Sequence, residues 1–324
     1  MPIAERGRFA PSPTGELHLG NARTAILAWL WARSAGGGFT MRVEDLDRPR
    51  VRPGLAQRQL EELAWLGITW DEGPDPRTGR DAGAGARGPY WQSQRDALYE
   101  AAVRRLGDHV YECFCSRAEI ARAASAPHGP LDEGPVYPGT CRRMVPVERT
   151  DRKPALRFIP SGGVTAFEDL IHGRYEQDVE QLVGDFVVRK NDGIASYQLA
   201  VVVDDSDSGI THVLRGDDLL ASTPRQLQLY EALGRVAPRF AHVPLLLGED
   251  GKRMAKREGA SAIAELRERG VPAERVIGVM AKWSGLGDGQ PVSARELARG
   301  FSLQNVRREP TVVSERELEE LARA

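Results

Sequence analysis

Arg8-Phe9-Ala10-Pro11-Ser12-Pro13-Thr14-Gly15-Glu16-Leu17-His18-Leu19-Gly20-Asn21 is the stretch on which the fold turns. It reads as the end of a strand, a turn holding Pro11, Pro13 and Gly15, and a helix that opens at His18. The predicted helix, Leu19–Arg33, is rich in Ala, Leu and Trp. Free N–H groups and the positive dipole at its start favour a triphosphate. Gly20 lets a purine or ribose approach the backbone with no Cβ in the way. His18 is placed to donate a hydrogen bond to an α-phosphate as charge builds there in a transition state. The plainer reading is a proline-rich turn before a core helix, with His18 as an ordinary cap.

Outward from this stretch the pattern alternates. Arg8–Ala10 ends the first strand, Thr40–Glu44 reads as the next, and Pro53–Leu66 as a second helix with Pro53 in its first turn. Strand, helix and strand in that order predict a parallel sheet. Glycine and arginine crowd Asp71–Gly88, which reads as a mobile surface loop. Gln92–Leu106 is a further predicted helix and Tyr111–Cys115 a short strand. Pro127, Pro130, Pro135 and Pro138 make the stretch from Ser125 to Cys141 irregular. Ala155–Lys190 then holds several short strands, as an antiparallel insertion would. Ile210–Leu214, Pro224–Leu233 and His242–Leu247 return to β, α, β, while Tyr197–Asp205 reads either as strand or as helix. Several short helices follow from near Ser261. The expectation is an α/β nucleotide-binding fold in two halves, 1–90 and 191–258. An insertion, 91–190, separates them, and a helical segment, 259–324, follows.

Composition bounds the possibilities. The 324 residues leave room for two or three domains, and 41% hydrophobic content sustains a core. No apolar run reaches the roughly 18 residues of a membrane span. MPIAERGRFAPSP carries no apolar signal core, and three cysteines suit a reducing cytosol rather than a disulfide scaffold. A cytoplasmic monomer is expected. The net charge of −2 provides no bulk basic field, so an RNA partner would need local arginine patches.

All three cysteines cluster as Cys113-x-Cys115 and, after Tyr137-x3, Cys141. Three thiolates on a turn-rich segment suit a structural tetrahedral zinc that lacks one ligand. Tyr137, His128 and Asp132 are the candidates for the fourth. The competing reading is three buried thiols without a metal.

HLGN resembles the HIGH element of class I aminoacyl-tRNA synthetases, and RFAPSPTGELHLGN as a whole resembles their glutamyl branch. Leu19 stands for isoleucine and Asn21 for the second histidine; Asn21 keeps a donor but carries no charge. Gly251-Lys252-Arg253-Met254-Ala255-Lys256-Arg257 resembles the KMSKS loop, with Lys256 on the second lysine and Ala255 in place of serine. The likeness continues through ITHVLRGDDLLASTPRQLQLYEALG and HVPLLLGEDGKRMAKREGA, and runs from Arg8 to about Gly259.

This resemblance implies a Rossmann-type class I synthetase catalytic domain with a mixed α/β, zinc-bearing insertion and a short helical C-terminal segment. It implies that His18, Gly20, Asn21, Arg253 and Lys256 meet ATP and its Mg2+, with His18 and Lys256 carrying the chemistry. A glutamate site must hold an ammonium and two carboxylates, for which an acid and arginine forks are suited. By resemblance these groups fall on Arg8, Phe9, Ala10, Pro11, Ser12, Glu44, Tyr197 and Arg215. Taken singly, Glu44 reads as a surface partner of an arginine such as Arg48, Tyr197 as a core aromatic, and Arg215 as a structural ion pair. The C-x-C…Y-x3-C spacing resembles that of the short glutamyl-type synthetases and favours Tyr137 as the fourth zinc ligand.

The sequence stops at Ala324, soon after the lysine-rich loop, where full-length glutamyl-tRNA synthetases continue into an anticodon-binding domain. That brevity narrows the resemblance to the glutamyl-Q tRNA(Asp) synthetases. Their expected activity is tRNA-independent activation of L-glutamate, followed by its transfer to the queuosine base of tRNA(Asp). The alternatives are a compact glutamyl-tRNA synthetase charging the 3′ end of tRNA(Glu), a non-tRNA adenylyltransferase, and a non-catalytic synthetase-like binding or regulatory paralogue.

Overall fold

The computed structural model describes residues 5–82, 87–123, 136–143, 152–254 and 262–323. Two strands, β1 (Arg6–Phe9) and β2 (Gly38–Met41), pair in parallel, with Arg6 beside Gly38 and Phe9 beside Met41. The crossover between them is α1 (Leu19–Ser34). Buried residues run round the whole of α1, from Leu19 and Ala22 to Trp29 and Trp31. A helix that is apolar on all sides is one packed from all sides, and α1 is the pillar of the molecule.

The boundaries differ from expectation where glycine or a tight turn intervenes. Gly54, at φ 76°, caps α2 (Leu55–Trp65), so Pro53 stands before the helix and not in its first turn. Gln92–Leu106 is not one helix: a 3-10 turn, Gln92–Gln94, precedes the α-helix Asp96–Leu106. Strand pairing in the second predicted strand covers Gly38–Met41 and leaves Glu44 beyond it. Within Asp71–Gly88, Gly73–Pro74 and Asp81–Ala82 pair antiparallel, so part of that stretch is a small hairpin.

The second half repeats the parallel theme. His212–Gly216 pairs with Arg239–Val243, and the helix Thr223–Ala232 connects them. Thr211 N–H donates to the Arg6 carbonyl at 2.9 Å and ties this pair to β1. Tyr197–Asp207 is a helix, capped by the Ser196 hydroxyl. Its Val201–Val203 run favours a strand locally, but all three side chains are buried in a second core with Tyr99, Phe158, Leu229 and Phe240. Burial in three dimensions overrides the local propensity.

The antiparallel strands between the halves divide into two sheets. Val110–Cys113, Ala155–Phe158 and Phe186–Arg189 form one. The hairpin Val164–Asp169 and Gly173–Asp178 joins the parallel pair instead, with Asp169 opposite Phe240. That placement brings Asp169 to the floor beneath the candidate site.

The C-terminal helices are Ile263–Glu268, Ala273–Trp283, Ala294–Gly300 and Glu315–Ala322. Ser293 with Glu296, and Ser314 with Glu317, form capping boxes that start the last two. The segment is not purely helical: Thr311–Val312 pairs in parallel with Leu246–Leu247. Val276, Ile277, Met280, Trp283, Leu318 and Leu321 share one apolar core with α1. Among the described residues no helix is long and apolar enough to cross a membrane.

Candidate active site

A cleft of about 720 Å³ opens above the ends of β1 and His212–Gly216. Its size suits a small-molecule ligand. Arg8, Phe9, Ala10, Pro11, Ser12, His18, Gly20, Asn21, Glu44, Tyr197, Arg215 and Arg253 all border it. Lys256 lies outside the described residues. The chain on either side of that stretch borders the site: Met254 lines the cleft, Ala262 bridges His18, and Ile263 N–H donates to the Leu17 carbonyl at 2.9 Å.

The proline-rich turn lacks several N–H donors of its own and is held from outside. Arg42 N–H donates to the Phe9 carbonyl at 3.1 Å and Glu44 N–H to the Pro11 carbonyl at 2.9 Å. From α2, the buried Gln59 amide donates to the carbonyls of Gly15 at 2.6 Å and Ser12 at 3.2 Å. His18 caps α1, its Nδ1 accepting from Asn21 N–H at 3.3 Å. A Cβ at Gly20 would come within 3.1 Å of the His18 ring. The glycine therefore makes room for the histidine itself, a reason that differs from the ligand approach expected of it.

Behind the cleft lies a buried network of charge. Arg8 forks onto Asp205 (Nε to Oδ1 3.3 Å, Nη2 to Oδ2 3.4 Å), and Arg42 Nη1 reaches the same carboxylate at 2.7 Å. Burial pushes the Asp205 carboxyl up, but Arg8 and Arg42 outweigh it and hold it below the ordinary range. Arg42 Nη2 donates to Glu44 at 3.1 Å. Glu44 is thus the partner of a buried arginine, while Arg48 pairs on the surface with Asp96. Burial raises the Glu44 pKa against the pull of Arg42 and Arg8, so a cation arriving in the cleft would relieve it.

Arg215 is held differently. Its Nε donates to His242 Nε2 at 2.9 Å and its Nη2 to Thr223 Oγ1 at 2.8 Å, and it has no carboxylate partner among the described residues. Its Nη1 is buried and has no hydrogen-bond partner there. The structural ion pair considered for it is not found among the described residues. Tyr197 is half-buried, and burial raises its phenol pKa. Arg253 is half-exposed, its Nη1 donating to Asp218 at 2.7 Å.

Several contributing residues escaped the sequence reading. Asp205 and Arg42 build the charge network, and Gln59 clamps the turn. Arg23 borders the cleft from α1, donating to Ser284 Oγ at 2.9 Å and the Pro244 carbonyl at 2.6 Å. A charge inside the apolar run LGNARTAILAWLW, and an acid pair closing SYQLAVVVDD, were the available signals.

The cysteine cluster forms a second centre. The Sγ atoms of Cys113, Cys115 and Cys141 lie within 4.8 Å of one another. Tyr137 OH sits 3.4 Å from Cys113 Sγ and 3.6 Å from Cys115 Sγ, and Cys115 and Cys141 are 3.5 Å apart. Zinc bonds of about 2.3 Å place tetrahedral ligands about 3.8 Å apart, so this donor set fits zinc. His128 and Asp132, the other candidates for a fourth ligand, lie outside the described residues. Arg157 donates to Cys113 Sγ at 3.2 Å and stacks over the Tyr137 ring at 3.8 Å. A second cavity, of about 1200 Å³, extends from this cluster to Tyr197, which borders both cavities.

Paired parallel strands around a central helix, with a histidine-capped helix start opening on the cleft, define the catalytic domain of a class I tRNA synthetase. Within that class the chain belongs to the family described as tRNA synthetases class I (E and Q), catalytic domain, which matches residues 5–320. A glutamyl-Q tRNA(Asp) synthetase of Symbiobacterium thermophilum is 54% identical over 94% of this chain and 94% of its own length. A glutamate–tRNA ligase of Desulforamulus reducens is 40% identical over 95% of this chain but only 64% of its own length. Among solved structures, a glutamate tRNA ligase from Elizabethkingia meningosepticum, in complex with its amino acid, superposes with a TM-score of 0.81 at 30% identity. That superposition covers 98% of this chain and 68% of the ligase.

Proposed function

We propose that this protein uses ATP to activate L-glutamate without RNA and transfers the glutamyl group to the queuosine base in the anticodon of tRNA(Asp). The observation that carries the glutamate half is Arg215, whose buried Nη1 has no hydrogen-bond partner among the described residues, in a cleft that Glu44 also borders. Arg215 takes a carboxylate of the substrate and Glu44 its ammonium. Phe9, Ala10, Pro11 and Ser12 wall the site from the signature turn, beside Arg8 and Tyr197.

In activation an oxygen of the substrate α-carboxylate attacks the α-phosphorus, and pyrophosphate leaves with the bond it breaks. His18 steadies the α-phosphate. Gly20, Asn21 and Arg253 border the nucleotide, Lys256 is assigned to its phosphates, and a Mg2+ bound with it would neutralise the departing charge. Tyr197 stands between this cleft and the second cavity, where the acceptor base approaches. Cys113, Cys115, Tyr137 and Cys141 would hold a zinc ion, whose role would be structural. We assign 1–90 and 191–258 to the two halves of a Rossmann-type catalytic domain, 91–190 to the acceptor-facing insertion and 259–324 to a stem-contact segment. The substrates place the protein in the cytoplasm.

The acceptor half is supported by the relative from Symbiobacterium, which is 54% identical over 94% of each chain. The 40% identity to the glutamate–tRNA ligase favours one second reading, a compact enzyme charging the 3′ end of tRNA(Glu). Glutamate transfer to tRNA(Asp) with and without queuosine, run beside tRNA(Glu), separates them. Charging of tRNA(Glu) alone would defeat the queuosine reading. Glutamate-dependent ATP–pyrophosphate exchange without RNA is expected, and its absence would indicate a binding paralogue. In the same exchange His18→Ala and Lys256→Ala should each lower the rate at least about tenfold, the scale of one lost transition-state contact. Unchanged rates would move the ATP site elsewhere. Elemental mass spectrometry should find one zinc per chain, and a metal-free yet folded protein would remove zinc from the account.

A further inference from the structure

Arg215 is steered by two residues that do not border the cleft. We propose that His242 and Asp169 are positioning residues that aim the Arg215 guanidinium and leave its charge uncompensated, so that the site takes a carboxylate side chain in preference to an amide. This rests on the glutamate reading above.

The chain of contacts begins at Asp169, whose side chain is fully buried. Its Oδ1 accepts from the N–H groups of Ile171 and His172, both at 3.0 Å, and the carboxylate also receives His242 N–H. Three peptide N–H groups and a strand pairing opposite Phe240 leave this carboxylate no freedom to turn. Its Oδ2 lies 2.7 Å from His242 Nδ1. An ionised carboxylate only accepts, so the proton sits on Nδ1 and Nε2 presents a bare lone pair. Burial, opposed by the Asp169 hydrogen bond, lowers the His242 pKa to about 4, and the ring is neutral at neutral pH.

The bare Nε2 is what Arg215 Nε meets at 2.9 Å, and Thr223 Oγ1 takes Nη2 at 2.8 Å. Two nitrogens of a planar group fix its plane. The third, Nη1, is the one left over. Both acceptors are neutral, so the guanidinium is anchored while its charge is not cancelled. Arg8 shows the opposite arrangement, its fork filled by the Asp205 carboxylate. Of the two arginines, Arg215 is the one for which an incoming carboxylate gains charge-assisted bonds that an amide cannot match.

Two substitutions separate aiming from bulk. In His242→Asn the short amide can still donate to Asp169 but stops short of Arg215. In His242→Gln the longer side chain brings a carbonyl to the place of Nε2. Calorimetric titration of glutamate into each full-length variant, with exchange kinetics alongside, should give a Kd and KM for glutamate raised about tenfold or more by Asn. That loss is the size expected for one hydrogen bond to a charged group. The Gln variant should stay within about threefold of the wild type, and the KM for ATP should hold in both. The preference for glutamate over glutamine should shrink in the Asn variant and persist in the Gln variant. Equal losses in the two variants, or an ATP KM that rises with that of glutamate, would overturn the inference. A wild-type protein with no glutamate-dependent exchange would overturn the glutamate reading and this inference with it.

Discussion

Replacing Arg215 with leucine should cut kcat/KM for glutamate in ATP–pyrophosphate exchange by roughly 30-fold to several thousandfold. Removing one partner of a buried, hydrogen-bonded charge pair costs about 2–5 kcal/mol, much of it from stranding the other charge. Here the stranded charge would be the carboxylate of the substrate. The KM for ATP should stay near its wild-type value, because the phosphate side of the cleft is built from His18 and α1. Arg215→Lys should recover little, since an ammonium cannot satisfy His242, Thr223 and a ligand with one planar fork. A loss below about tenfold in the leucine variant, well short of that range, would mean that the carboxylate binds elsewhere.

Asp205→Asn should lower stability to urea by about 3–5 kcal/mol, the usual result of breaking a buried ion pair from one side. Asp205 is shared by Arg8 and Arg42, all three nearly inaccessible to water. The amide would leave two buried guanidinium groups competing for weaker acceptors, with Glu44 and Asp204 the remaining anions beside Arg42. The surface pair Arg48–Asp96 is the control, both side chains being more than half exposed. Asp96→Asn should change stability by no more than about 1 kcal/mol. Similar urea midpoints for the two variants would show that the buried network is not what holds this half of the protein together.

What the sequence disclosed followed how local each signal was. The helix predicted over Leu19–Arg33 is observed over Leu19–Ser34, because its composition and its histidine cap act within one or two turns. Val201–Val203 could not be assigned, since a β-branched run speaks for a strand and only the second core argues otherwise. Pro53 misled because Gly54, one residue later, takes up a left-handed conformation and caps the helix, which therefore starts beyond the proline. At the site, residues at strand and helix ends were legible as cleft residues, and the structure brings the described ones together. Their partners were not legible. Arg8 and Asp205 are 197 positions apart, and no periodicity connects them. His242 read as the start of a strand, whereas its work depends on Asp169, brought beneath the site by a hairpin that joins a sheet from far along the chain.

The shared core of α1 has a consequence for how the protein is made. The helix that opens on the cleft leaves the ribosome long before Val276, Met280 and Trp283, and then Leu318 and Leu321, which belong to the same apolar core. Chains grow at about 5–20 residues per second, so the newborn α1 waits many seconds for its last neighbours. During that interval one of the most apolar segments of the protein lacks part of the core it ends in, and nascent chains stalled before residue 276 should lack that packing behind the helix that opens on the cleft.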